Sequence, residues 1–372
     1  ENDINISADL TQNMDGQYKG YLGAQALAGS VTGSADAAIA GAVAILVSQA
    51  ETRVTVGEGV QLISARFIDG KLIGGDIKIL AMDKSKLAVR AGGYSISTKG
   101  AKIGMGASYA FIYGENTVKA EVLDNAVIHA DSLSIQAVKA EVSLSDYELP
   151  YGLQTLITRS EGGANPPVSE QGIIHMSKNG TGSAASYEVQ INLDTQRILD
   201  AVDLLNFLAS VNYYAEAISG AVSGVSGTLS AAGSIAMVFF FNQVEASIGE
   251  NVVIVLAKNM ELIADSKGNA RVIAGSLSAS RSNIGAGLTI GFLYDEDSVK
   301  AQVGDHTEIT ATEGKYTQRS SSDMNALVIT AAAAVTASVA GSAMGGNFSA
   351  IVLKNEAISN VIKESDDDDD DK

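Results

Sequence analysis

Apolar and polar residues alternate with a period of two along most of this chain, and one short alternating phrase recurs. It reads VEASIGEN at 244–251, VKAQVGDH at 299–306 and VKAEVLDN at 118–125, with a looser copy, TRVTVGEG, at 52–59 and a remnant, AISNVIKE, at 357–364. A period of two predicts strands with one buried face. The last apolar residue of each copy is Val56, Val122, Ile248, Val303 or Val361. Apolar runs of strand length, such as AVAILV, GASYAFIY, SIAMVFFF and GLTIGFLY, precede the first four copies. Six residues beyond each of these anchors comes a second alternating pair: Leu62/Ser64, Ile128/Ala130, Ile254/Leu256 and Ile309/Ala311. The glycine–carboxylate step in between predicts a turn, with Gly supplying the unusual φ and Asp or Asn capping it.

Val56 and Val122 lie 66 residues apart, Ile248 and Val303 55, and Val303 and Val361 58. One such ribbon cannot bury its apolar face alone, but stacked copies can. The expectation is an all-β fold: a parallel β-solenoid (β-helix) built from repeats of about 55–66 residues, each repeat making two or three coils. Stacked antiparallel sandwiches or propeller blades are the alternative. Systematic hairpin dipeptides and WD signatures are absent, which favours the solenoid.

The organisation expected is a first solenoid block over 1–145, a loop and helical insertion over 146–230, a second block over 231–365 and an acidic tail over 366–372. The glycines and prolines of 162–186 predict a loop. The spacing of Ile198, Leu199, Val202, Leu205 and Leu208, with Asp194 as N-cap, predicts an amphipathic helix over about 195–212. Such a helix shields a sheet edge or protrudes to meet a partner. The closing Asp366–Asp371 run reads as disordered or as a tag.

Composition fits thin, closely layered sheets: aromatics are 5%, Trp is absent, Pro occurs three times and Gly 38 times. The formal net charge of −18 argues against nucleic acid and against anionic membrane surfaces as partners. With no Cys, neither a disulfide nor a thiolate metal site can form. The uncharged run Asn325–Gly346 is long enough to span a bilayer, but its small residues make direct membrane insertion a poor fit. The opening ENDINISADL carries no signal-peptide pattern, which leaves a cytoplasmic chain, a processed one or, the reading favoured, a segment of something larger.

Chemistry-bearing motifs are sparse. The three histidines, His129, His175 and His306, show no zinc spacing, and no G-x-S-x-G elbow or Walker motif occurs. No cofactor is expected. The acidic cluster Asp295, Glu296 and Asp297, with Asp305, is the candidate calcium site; Glu115 and Asp124 occupy the equivalent region of the first block. The bland reading of these carboxylates is solvated turn residues that discourage edge pairing.

The small-residue approach, apolar strand, V-x-A-x-V/I-G-D/E-N/G phrase and following pairs resemble the β-strand-repeat passengers of large bacterial adhesins, the leukotoxin and filamentous-haemagglutinin-like adhesin family. The resemblance covers about 20–145 and 215–365. It implies an exported or surface-anchored passenger, and the expected function is a non-enzymatic, secreted or cell-surface adhesin segment. Its partner would be a host-cell or matrix protein or a glycan. The alternatives are an extracellular structural subunit that self-assembles by end-to-end stacking, and a carbohydrate-active β-helix enzyme.

Overall fold

The computed structural model describes residues 3–10, 22–32, 36–97, 102–141, 157–161, 174–179, 186–191, 211–223, 228–280, 284–336 and 341–361. In chain order, β1 (Ile4–Leu10) and β2 (Leu22–Thr32) come first. They are followed by β3 (Ala37–Val56), β4 (Gln61–Ile63), a hairpin of β5 (Ala65–Ile68) and β6 (Lys71–Gly74), then β7 (Ile77–Asp83) and β8 (Leu87–Ser97). Next are β9 (Ile103–Val122), β10 (Val127–Ala130) and β11 (Leu133–Lys139). A separate small sheet holds β12 (Ile157–Glu161), β13 (Ile174–Asn179) and β14 (Ser186–Ile191). The main stack resumes with β15 (Tyr213–Ser223), β16 (Leu229–Ile248), β17 (Val253–Leu256) and β18 (Met260–Ser280). It continues through β19 (Ile284–Val303), β20 (Glu308–Ala311), β21 (Tyr316–Thr336) and β22 (Ser342–Val361).

These strands wind into a parallel β-solenoid of three sheets. The front sheet orders β22-β19-β16-β9-β3, and the narrow corner sheet β20-β17-β10-β4. The back sheet orders β1-β7-β11-β18-β15-β8-β2, with β21 on the far side of β18. A coil is one front strand, one corner strand and one back strand. One repeat is therefore a single coil, not the two or three expected: the front strands have 20 residues each, about 66 Å of extended chain. All five anchors fall in one column, Val56–Val122–Ile248–Val303–Val361.

The stack is also continuous where two blocks were expected. β9 pairs directly with β16 along its whole length. Lys139 of β11 pairs with Ser266 and Tyr213 of β15 with Ala270, so on β18 only Lys267–Asn269 separate the partners of the two strands. The insertion thus interrupts one back strand rather than separating two domains, and it ends before Val211, not at 230. β15 and the start of β16, assigned to the insertion by the sequence pattern, are sheet. The helix expected over 195–212 falls mainly on residues outside those described, as do Asp194 and the acidic tail. Among the described residues the structure has no helix, and none is long and apolar enough to cross a membrane. The uncharged run 325–346 is divided between β21 and β22.

The turn residues also differ in role from the expectation. Positive φ occurs at Gly59, Asn125, Asn251 and His306, two residues beyond the position of the phrase's glycine. That glycine answers a different demand, close approach between coils. A Cβ on Gly249 would lie 2.2 Å from Asp124 Oδ1, and one on Gly304 2.6 Å from the Gly249 carbonyl carbon.

The core is a wedge. Near the corner sheet it is filled by branched side chains such as Val118, Val122, Ile128, Ile135, Ile254 and Leu262. At the opposite end the inward columns are Gly, Ala and Ser, for example Ala40–Gly106–Ala232–Gly287–Gly345. There the front and back sheets lie within hydroxyl reach: Ser230 Oγ donates to Ala221 O at 2.8 Å, and Ser278 Oγ donates back to Ser230 O at 2.7 Å. A Cβ on Gly106 would sit 2.2 Å from Gly220 O and 2.8 Å from Gly93 O, both backbone atoms of the facing sheet. Gly106→Val is therefore expected to destabilise by about 3 kcal/mol or more, through overpacking that only sheet separation can relieve. Gly41, on the outer face with nothing within 4 Å, is the control: Gly41→Ala should leave the urea midpoint near the parent value. Equal midpoints for Gly106→Val and the parent would contradict the wedge.

Candidate functional site

Two features of the stack carry its chemistry: a polar seam inside the core and an apolar face outside it. Both follow from strand parity. In each front strand, the residues that share parity with the anchor valines point inward and the intervening ones outward.

The seam divides the corner-side apolar cluster from the wedge-side one. Its front column is Asn116–Asn242–Asp297–Asn355 and its back column Asp83–Lys139–Ser266–Ser322. Asp297 accepts from Asn242 Nδ2 at 2.5 Å, Ser266 Oγ at 2.7 Å and Ser322 Oγ at 3.0 Å. Burial pushes its pKa upward, but Lys139 and these three donors outweigh burial and hold the carboxyl below the ordinary aspartate range. Asp295, two residues earlier on the same inner face, is fully buried in the column of Phe240 and Leu353. Burial first, then the neighbouring Asp297 charge, raise its pKa to about 7, with Lys139 opposing. Asn242 Nδ2 donates to Asp295 Oδ1 at 3.3 Å, and the Asn355 amide, turned to suit its neighbours, donates to Oδ2 at 3.2 Å.

Lys139 is among the largest fully buried side chains. Its Nζ makes no regular hydrogen bond and stands 4.8 Å from the centre of the Tyr213 ring. Burial alone would lower its pKa. Tyr213, Asp297 and Asp295 together outweigh burial and hold the ammonium above the ordinary lysine range. Tyr213 Oη accepts from Asn116 Nδ2 at 2.8 Å, and burial raises the phenol out of its usual range. Around one ammonium the seam thus gathers three buried carboxyl groups, Asp297, Asp295 and Asp83, the last accepting from the Ser85 N–H at 2.8 Å.

The seam also roots the insertion. Asn212 donates through its backbone N–H to Asn269 Oδ1 at 2.6 Å, and through Nδ2 to Ala140 O at 3.1 Å and Ser85 O at 3.3 Å. Asn269 Nδ2 donates to Glu141 Oε1 at 3.2 Å. Both ends of the excursion are therefore tied to Asn269 of β18 and to each other, and Asn212 also to Ser85 in the turn before β8.

The four carboxylates proposed as a calcium site do not converge. Asp295 and Asp297 point into the core, whereas Glu296 points out, pairs with Lys354 at 2.6 Å and accepts from Tyr294 Oη at 2.6 Å. Asp305 lies in the next turn, where its Oδ1 accepts from the His306 N–H at 2.9 Å. Glu115 is on the outer face, accepting from Gln49 at 3.1 Å, and Asp124 accepts from the Glu250 N–H at 2.8 Å. Among the described residues no three His, Asp or Glu side chains form a metal-binding group. The acids read as one cluster in sequence are separated by the alternation of the strand itself.

Outside, the front sheet presents five neighbouring columns without a charged residue. They are Ile39–Met105–Ala231–Ala286–Met344, Gly41–Ala107–Gly233–Leu288–Gly346 and Val43–Tyr109–Ile235–Ile290–Phe348, then Ile45–Phe111–Met237–Phe292–Ala350 and Val47–Tyr113–Phe239–Tyr294–Val352. The aromatic rings pack diagonally from coil to coil: Phe111 lies 5.7 Å from Phe239, Phe239 5.3 Å from Phe292, and Tyr113 5.5 Å from Phe241. At the first coil Ile39, Val43, Ile45 and Val47 are each more than half exposed. The glycine–alanine column forms a shallow trough of about 300 Å³, bordered by Val43, Tyr109 and Ile235 and closed by Leu288. Charged residues border these columns at both ends: Lys102–Asp36 (3.4 Å) just before β3 and β9, and toward the corner Lys119–Glu245 (3.0 Å) and Arg53–Glu121 (2.7 Å), all paired across coils. Comparison with family models, with curated proteins and with solved structures finds no match to this chain.

Proposed function

We propose that this chain is a non-enzymatic, exported adhesin or cell-surface β-solenoid segment that presents a repetitive binding surface. The observation that supports this reading is the outer face of the front sheet: five uncharged columns on a stiff stack, larger than the 300–600 Å² apolar patch usual on a monomer. Apolar surface of this extent marks interaction sites, and a repeated face gains avidity from many small contacts. The seam's ionisable groups favour the same reading. Asp295, Asp297 and Lys139 lie inside the core, out of reach of a polymeric substrate.

The test is binding of the purified chain to cells, matrix proteins and a glycan array. The double variant Phe239→Ser/Phe292→Ser, on the outer face, is expected to bind at least tenfold more weakly while keeping the parent circular dichroism spectrum. Deleting residues 142–210, between the clamped ends of the insertion, separates the two surfaces. If the deletion abolishes binding and the double variant leaves it intact, the front face is not the binding surface. Absence of binding to every class of target overturns the adhesin reading.

A further inference from the structure

We infer that the outer face of the front sheet binds a second copy of this chain, forming a side-by-side dimer with the two solenoid axes parallel. The inference rests on the reading that this face is the binding surface, and it names the partner. Three observations point to a second copy.

The first is area. Five columns spaced about 6.6 Å apart on five strands spaced about 4.8 Å apart cover about 800 Å². That is the area each partner contributes to a stable protein–protein interface, about 800 Å² per side.

The second is shape. A two-fold axis running across the strands, through the column of Val43, Tyr109 and Ile235, would turn each front strand end for end and keep each coil opposite its own copy. The trough column then meets the column four residues further along the strand. Gly233 faces Met237, Ala107 faces Phe111 and Gly41 faces Ile45. Small residues oppose large ones on the first three coils, as a ridge entering a groove requires; on the fourth Leu288 meets Phe292 and on the fifth Gly346 meets Ala350. The same axis brings Ala231 opposite Phe239. Such self-complementarity is what an isologous interface demands. In the back sheet only β18 and β21 run as continuous long strands; other levels are divided between β7 and β8 and between β11 and β15.

The third is charge. With a net charge of −18, two copies repel each other over most contact geometries. The five columns contain no charged side chain, so this face lets two copies meet without burying like charges.

The experiment is sedimentation equilibrium of the full chain from 1 to 100 µM, alongside two variants of outward positions. Gly233→Phe fills the trough at an outward position where the nearest heavy atom to an added Cβ is 4.0 Å away, and the parent circular dichroism spectrum checks that the fold is kept. Ile235→Arg puts a cation at the proposed axis, facing its own copy. The parent is expected to reach twice its 38.3 kDa mass. Each variant should raise the dissociation constant by about 100-fold, the scale of an unpaired charge or a blocked pocket at an interface centre.

A parent that stays monomeric at 100 µM overturns the inference. If that monomer still binds cells, matrix proteins or glycans, and Ile235→Arg abolishes the binding, the adhesin reading stands with a different partner; if it binds none of them, both readings fall. A dimer unaffected by either variant, or open-ended polymerisation in place of a dimer, also overturns the inference.

Discussion

Lys139→Met is expected to lower stability by about 3–5 kcal/mol, the range for removing one partner of a buried charge pair. Lys139 is the only ammonium facing Asp297 and Asp295 within the described seam. Without it, Asp297 keeps its donors Asn242, Ser266 and Ser322 but remains a buried anion with no counter-charge. Because the folded pKa of Lys139 is raised, its stabilising contribution is fully present below the ordinary lysine pKa and is lost only in strong alkali. The deficit of the variant should therefore be large at pH 8. At pH 4.5 it should shrink, because without Lys139 burial drives Asp297 upward and the carboxyl takes up a proton, which removes the uncompensated charge. Urea midpoints at the two pH values measure both numbers. The double variant Lys139→Met/Asp297→Leu, which removes the pair altogether, should recover much of the loss. A single variant with an unchanged midpoint at pH 8 would mean that the seam's charges are not coupled.

The repeat was legible because the stack keeps strict register: the five phrase anchors are the five residues of one inward column. Where the insertion ends was not legible. β15 reads YYAEAISGAVS, and small residues that line a narrow wedge look, in a linear sequence, like those of a linker. Only the facing strand β18 reveals that β11 and β15 are halves of one position. The seam was within reach of the same parity that located the core. Asn116, Asn242 and Asp297 each precede an inward valine by two residues, so they also had to be inward. Applied to Asp295–Asp297, that rule places the two aspartates inside and Glu296 outside, which removes the calcium cluster without any coordinates. Lys139 and Tyr213 gave no such signal, since their meeting depends on a contact across the insertion. The outer apolar face was present in the sequence as AVAILV, YAFIY and MVFFF, but continuous apolar runs do not say which of their two faces is covered.

Asp295→Asn is expected to stabilise the protein by about 4 kcal/mol at pH 8, the second large effect the seam predicts. An aspartate with an ordinary pKa of 3.8 in the unfolded chain and about 7 in the fold binds more protons when folded over that whole interval. Stability must then fall as the pH rises from about 4 to about 7 and level off above. A shift of about 3 units corresponds to about 4 kcal/mol. Asparagine removes this slope because it has no proton to lose, and its amide can donate to Asp297 where the neutral acid did. The variant and parent should therefore have similar urea midpoints near pH 4 and diverge steadily to pH 7, with the variant the more stable. Other groups titrating in this range are common to both proteins, so the difference between the two curves reports Asp295 together with the Asp297 charge coupled to it. Parallel curves from pH 4 to 8 would show that Asp295 ionises normally in the fold. A variant less stable than the parent at every pH would show that the carboxylate form is the one the seam is built to hold.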